Sequence, residues 1–258
     1  MALDRSVCMQ KTVSFVTLSF FRFGPWRDRL WGFRQMAEAG SQLRKVPGLS
    51  FFRLLGTGSG DGFSPWPDTQ DIGLLHVWQD RASAARYFQE HPLHAQFVDR
   101  SEEQYRLDLL PEFGHGKWAG QEPFVYSGER RTSGRVAVIT RATIRRGALL
   151  DFWRSVPAVR GTLANTPAML FAEGIGEWPL IQQATFTVWR DVADMMAFAY
   201  ASPHHSKAVA DTRKLGWFSE ELFARFTVEA THGTWGGTDP LHDALSTTEA
   251  FTAATLAT

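Results

Sequence analysis

The feature that most constrains this chain is that it repeats itself. "TVSFVTLSFFRFGPW" (12–26) and "RVAVITRATIRRGAL" (135–149) share an alternating pattern ending in a turn glycine. They pair Thr17 with Thr140, Arg22 with Arg145 and Gly24 with Gly147 at an offset of 123. "LLHVWQDRASAARYFQEHPLH" (74–94) returns as "TFTVWRDVADMMAFAYASPHH" (185–205) at an offset of 111, carrying Trp78, Asp80, Pro92 and His94 onto Trp189, Asp191, Pro203 and His205. "GHGKWAG" (114–120) returns as "THGTWGG" (231–237) at an offset of 117. Three matches in one order, with offsets that drift as loops lengthen, indicate an internal duplication.

The periodicity predicts strand, helix, strand, strand, helix, strand in each copy. Copy one places them near 12–23, 27–45, 49–57, 70–79, 81–100 and 104–113; copy two near 135–144, 147–164, 167–174, 181–190, 191–215 and 221–230. Asp80 and Asp191 stand where a strand hands over to a helix, the position of an N-cap. This order is the ferredoxin-like βαββαβ unit, a sheet with both helices on one face. Two bare sheet faces in one chain cover each other. The expected class is therefore α+β, a tandem duplication closing into an intrachain barrel with a pseudo-twofold axis. The expected organisation is a disordered 1–11, repeat one over 12–120, a polar linker over 121–134, repeat two over 135–237 as the cofactor-binding half, and a disordered tail over 238–258.

Charge and cysteine usage remove several function classes. Lys plus Arg balance Asp plus Glu at 27 each, so the chain as a whole makes no electrostatic case for nucleic acid or an anionic membrane surface. No apolar run approaches the ~18 residues of a membrane span, and "MALDRSVCMQ" is too polar to begin a secretory signal, so the cytoplasm is the expected compartment. Cys8 is the single cysteine, which excludes an intramolecular disulfide and a thiolate zinc cluster. No G-x-S-x-G, Walker, H-E-x-x-H or paired CxxC motif occurs. "GTGSGDGF" (56–63) leads into "SPWPDT", whose prolines oppose the helix of a dinucleotide fingerprint. With 20 Phe and 10 Trp against 4 Tyr, bulky apolar walls suit a large core and equally an apolar pocket for a hydrophobic small molecule.

Eight histidines remain as the soft ligands. His94 and His205 share one place in the two copies, two residues past a proline, where a helix-start imidazole bonded to a carbonyl would serve equally well. After His205, however, Ala208, Val209 and Thr212 follow at i+3, i+4 and i+7, so the histidine stands on a sparsely filled stripe with room for a flat ligand. His204 points about 100° away and is the runner-up. Arg141 sits amid apolar residues in "VITRATI", opposite Leu18 in copy one. It needs either a carboxylate such as Glu173 or Glu177, or an anionic ligand.

Across residues 12 to about 237, and most specifically at "GWFSEELFARF" within "HSKAVADTRKLGWFSEELFARFTV" (205–228), with "TLSFFRFG", "GTGSGDGFSP", "ITRATI" and "GIGEWPLIQQATFTVWRD", the chain resembles the spheroidene monooxygenase family of carotenoid 2-oxygenases. The resemblance implies a dimeric α+β barrel, heme b, and oxygen insertion from O2 into an apolar polyene with a ferredoxin-type electron donor. The family's histidine falls on His205 as axial iron ligand and its arginine on Arg141, at the heme periphery or distal side. Met195, Met196, Phe198, Val209 and Trp217 are the expected cofactor or cavity walls. A homodimer, a heme-dependent dehydratase acting on a nitrogen-oxygen substrate, a non-catalytic heme or apolar-ligand binder, and cofactor-free oxygenation all stay open at this point.

Overall fold

In "FVTLSFFR" apolar and small residues alternate so evenly that both faces of the first strand are covered, β1 (Phe15–Arg22) being buried along almost its whole length. The computed structural model describes residues 12–58, 67–154, 166–178, 180–201 and 215–242. Repeat one continues with α1 (Trp26–Leu43), β2 (Leu49–Gly58), β3 (Pro67–Trp78), α2 (Arg81–Glu90), α3 (Pro92–Arg100) and β4 (Glu103–Gly116). Repeat two contains β5 (Val136–Ile144), β6 (Met169–Trp178), β7 (Gln182–Trp189), α4 (Val192–Ala201) and β8 (Phe218–Gly233). Helical turns occupy 146–154. Asp80 accepts from the Ser83 N–H at 2.7 Å and Asp191 from the Asp194 N–H at 2.8 Å, so both are N-caps. One expected helix, 81–100, is two. Pro92 has no N–H to give, and His91 turns extended (φ −79°, ψ 124°), ending α2 and capping α3 with its own ring nitrogen.

The eight strands close a barrel in the order β1, β3, β2, β6, β7, β5, β8, β4, with every neighbour antiparallel. Each repeat contributes four adjacent strands, and closure leaves no open edge. The two seams between repeats differ. β4 pairs with β8 from Tyr105↔Gly233 to Gly116↔Leu222, whereas β2 meets β6 only at Gly56↔Gly176 and Thr57↔Ile175.

The pairings correct the repeat alignment. Val16 faces Val77 and Leu109, while Ala137 faces Val188 and Phe226. Those partners are related by 111 and 117, so Val16 corresponds to Ala137 and the offset of the first strand is 121 (137 less 16), not 123. Arg141 therefore corresponds to Phe20, not Leu18. The match of Gly24 to Gly147 misleads because β5 has nine residues against eight in β1 and shifts register against β8 between Thr143 and Ile144.

Inward residues, among them Leu18, Phe20, Leu75, Tyr105, Leu107, Ile139, Phe171, Phe186, Ala224 and Phe226, fill the barrel. The expected linker and tail take part. Phe124 packs edge-on against Phe226 with ring centroids 5.1 Å apart, and the Ser14 N–H donates to the Val125 carbonyl at 3.1 Å. Leu241 is fully buried, and Asp239 accepts from Tyr105 Oη at 2.9 Å and from Thr231 at 2.8 Å. A barrel end exposes apolar side chains that some segment must cover, and these two segments do so.

Candidate functional site

Arg141 projects from β5 into the barrel and is 2% exposed. Its Nη1 donates to Glu220, its Nη2 lies 3.6 Å from Glu177, and its guanidinium stands 5.8 Å from the centre of the Trp118 ring. Trp118 in turn donates its indole N–H to Glu177 at 2.7 Å, and Arg53 meets the other Glu177 oxygen at 2.8 Å. Burial would push the Glu220 carboxyl up, but the Gly120 and Ala119 N–H groups and Arg141 outweigh it and hold the carboxyl below its usual range. Two guanidiniums and two carboxylates thus neutralise one another, as buried charges must.

The other barrel end repeats this arrangement. Arg22 bonds Glu103, which accepts from the Gly236 and Gly237 N–H groups, and Trp235 donates to Glu173 at 2.9 Å. The repeated Trp-x-Gly of "KWAG" and "TWGG" is therefore a plug at each end, anchored on a glutamate from β8 or β4. Arg141 has the carboxylate partners, and it lies on the face of β5 opposite the one that α4 covers. It was expected at a heme periphery or distal side; from this inner face it would not reach a group held between the sheet and α4. Glu220, 79 residues away in sequence, is brought to it only by the pairing of β5 with β8.

The outer faces of the two sheets are equivalent in position and unequal in bulk. In repeat one, Leu54, Leu74 and Ser19 form a row across β2, β3 and β1; in repeat two the row is Gly174, Thr185 and Thr140. Phe52, His76 and Thr17 become Ala172, Thr187 and Val138, and Gly56, Ile72 and Phe21 become Gly176, Gln183 and Ala142. Repeat one fills its layer: Phe21, Leu74, His76, Trp78, Tyr87 and Phe97 are each at most 3% exposed. In repeat two Thr140 is exposed, although its counterpart Ser19 is buried, and Ala172 and Thr185 are half-buried. The result is a flat floor of small residues. At one end stand Trp189, Met195 and Phe198, the Trp189 and Phe198 rings 5.0 Å apart. At the other stand Trp217 and Phe152, their centroids 6.4 Å apart. Between them, Val138 to Ile144 of β5 spans about 20 Å.

No protein-family model matches the chain. It is 36% identical to a spheroidene monooxygenase of Cereibacter sphaeroides over 90% of this chain and 72% of that protein. It is 35% identical to one of Rhodobacter capsulatus over 87% of this chain and 94% of that protein, and 32% identical to one of Rubrivivax gelatinosus over 81% and 80%. The chain belongs to the spheroidene monooxygenase family. Membership places it among the oxygenases, and so among the oxidoreductases.

Two solved aldoxime dehydratases share the fold of this spheroidene monooxygenase family member. One, in complex with butyraldoxime, superposes with a TM-score of 0.60 at 12% identity over 90% of this chain and 87% of its own; the second has a TM-score of 0.55 at 11% identity over 85% and 83%. At such identity the likeness concerns architecture alone. Of the residues expected to bind a cofactor in this family, His204, His205 and Val209 lie outside the described residues. Met195 is buried against the floor's edge, whereas Met196, the expected contact, is 42% exposed on the solvent side of α4. Trp217 is 7% exposed and closes the far end. The floor itself, Ala172, Thr185 and Thr140, was missed. Its signal was in the sequence, in the loss of Phe52, Leu54 and Phe21 at the equivalent positions, but the slipped offset hid the last of these. No helix among the described residues is long and apolar enough to cross a membrane.

Proposed function

We propose that the chain is a heme-dependent monooxygenase that inserts one oxygen atom from O2 into a hydrophobic, carotenoid-like substrate, with heme b held on the outer face of the second repeat. The observation that supports this reading best is the exchange of Phe52, Leu54 and Phe21 for Ala172, Gly174 and Ala142 on otherwise equivalent sheets. A glycine and alanine floor in a strand marks close approach by a ligand or another backbone, and a planar macrocycle needs such a floor. The residues present fit the group. Ala172 and Thr185 offer a surface without bulk, Thr140 adds an exposed hydroxyl donor, and Trp189, Met195, Phe198, Phe152 and Trp217 supply apolar walls that exclude water. His205 would hold the heme iron in this reading, with His204 next in line. Bound heme supplies the activation of O2 that insertion at an unactivated carbon requires.

Electrons come from a ferredoxin-type donor in this reading, and Arg141, ion-paired with Glu220 on the inner face of β5, steadies the barrel beneath the floor. The test is turnover of a carotenoid polyene under labelled O2 with reduced ferredoxin. Label in the product of the heme-loaded protein supports the reading. Conversion without O2, or by heme-free protein, contradicts it.

A further inference from the structure

α1 buries Gly32, Gln35, Ala39 and Leu43 against the sheet of repeat one, yet its opposite side is not the polar face that a solvated helix carries. Trp26, Leu30 and Phe33, at i, i+4 and i+7, are 68%, 52% and 62% exposed and form one stripe. Scattered surface apolar residues are ordinary; an aligned Trp, Leu and Phe is not. Charge distinguishes this stretch from the chain as a whole. Residues 26–45 carry five basic side chains (Arg27, Arg29, Arg34, Arg44, Lys45) against two acidic ones, Asp28 and Glu38, on a chain whose total is zero. Asp28 is already paired with Arg100 at 2.8 Å. The chain-wide balance that argued against anionic surfaces conceals this local excess.

A second observation points the same way. Phe33 lines a cleft of about 120 Å³ at the short seam, together with Gly176, Glu177 and Gln183. The turn between those last residues exposes Trp178 by 65% and Leu180 by 42%. Large apolar side chains are thus exposed both on α1 and on the turn that directly follows the cleft residues Gly176 and Glu177. Tryptophan at the border, guanidiniums flanking an apolar stripe and a local basic excess are the composition of a helix that lies in a membrane interface.

We infer that α1, together with the Trp178 turn whose flanking residues share a cleft with Phe33, seats this protein on an anionic lipid bilayer surface. The stripe enters the headgroup region, and Arg27 meets lipid phosphates, as does Arg34 on exchanging its exposed ion pair with Glu38 (3.0 Å) for a phosphate. The inference does not depend on heme, and with a hydrophobic substrate it gives the cleft a side facing the solvent in which that substrate dissolves.

The test is co-sedimentation of the full chain with vesicles of phosphatidylcholine plus phosphatidylglycerol, and with phosphatidylcholine alone. Wild type is compared with Trp26→Ser/Leu30→Ser/Phe33→Ser, with circular dichroism melting and light scattering on the same samples. We expect wild type to partition onto the anionic vesicles, and the triple variant, with an unchanged melting curve, to lose about tenfold or more of that partitioning. If the triple variant does not fold, Arg27→Glu/Arg34→Glu gives the same reading through charge alone. Wild type remaining in the supernatant with both vesicles, or a folded variant that sediments like wild type, overturns the inference. So does equal partitioning onto neutral vesicles, which removes the anionic requirement. A wild-type dimer that the triple variant splits, without vesicle binding, assigns the stripe to a second copy and also overturns it.

Discussion

Ala172→Phe gives the floor of repeat two the side chain that repeat one carries at Phe52, and the sign of its effect decides what covers that floor. Ala172 is half-buried, as is Phe52, so the new ring finds room without moving the backbone if the space before it belongs to a ligand. Fully burying a phenyl is worth ~1.5–3 kcal/mol, so half-burial in cofactor-free protein stabilises by roughly 0.8–1.5 kcal/mol. For a fold of this size that raises Tm by about 2–6 °C. The same ring takes the floor from the heme, and heme content at fixed supply falls about tenfold or more, equivalent to at least ~1.4 kcal/mol of lost affinity. Thermal circular dichroism of the cofactor-free protein and heme quantification of the loaded protein read the two effects separately. If protein already packs on Ala172, overfilling costs ~1–3 kcal/mol instead. A lowered Tm with unchanged heme content would therefore refute the reasoning.

Glu112 and Arg225 form a buried pair at the long seam, with side chains 3% and 5% exposed, Nε donating at 2.7 Å and Thr227 adding a bond at 2.6 Å. Glu112→Leu should cost ~3–5 kcal/mol in urea unfolding, because it strands a buried charge, and adding Arg225→Met should recover most of that; equal losses in single and double variants would show that the pair is not the cause. Trp118→Phe removes the donor to Glu177 and should cost about 1–3 kcal/mol while leaving the far-ultraviolet spectrum unchanged; no change in Tm would deny the plug a role. His76 is fully buried, and burial, with smaller contributions from His94 and His91, lowers its pKa from 6.5 to about 3. The unfolded chain therefore binds a proton that the folded one refuses, so this contribution is complete above pH 6.5 and is lost as pH falls toward 3. His76→Phe should flatten the stability profile between those limits, and an unaltered slope would assign the dependence elsewhere.

What the sequence made legible was whatever local periodicity and repetition carry. Strand alternation placed all eight strands within a few residues, and Asp80 and Asp191 marked two helix starts from their type and place alone. The break at Pro92 was also written there, in a residue that cannot donate, but the amphipathic pattern runs across it and reads as one helix. Long-range pairing was not legible. Glu220 reaches Arg141 only through the register of β5 with β8, so the choice of Glu173 or Glu177 found one partner and missed the closer one. The offset of 123 rested on glycines in exits that differ by one strand residue, and two residues of slip preserved which face each side chain takes while changing its counterpart. Asp239 and Leu241 looked like tail because five polar or small neighbours outweigh one leucine; what recruits them is the open barrel end and the Tyr105 hydroxyl.

The central claim is that this oxygenase works through a heme whose iron is held by His205. It is tested most directly by the ultraviolet-visible spectrum of protein expressed with a heme precursor, as isolated and then reduced under carbon monoxide, for wild type and His205→Ala. The account predicts a Soret band that shifts with carbon monoxide in wild type and is lost in the variant. A colourless wild type, or a variant with the same band and heme content, would contradict it.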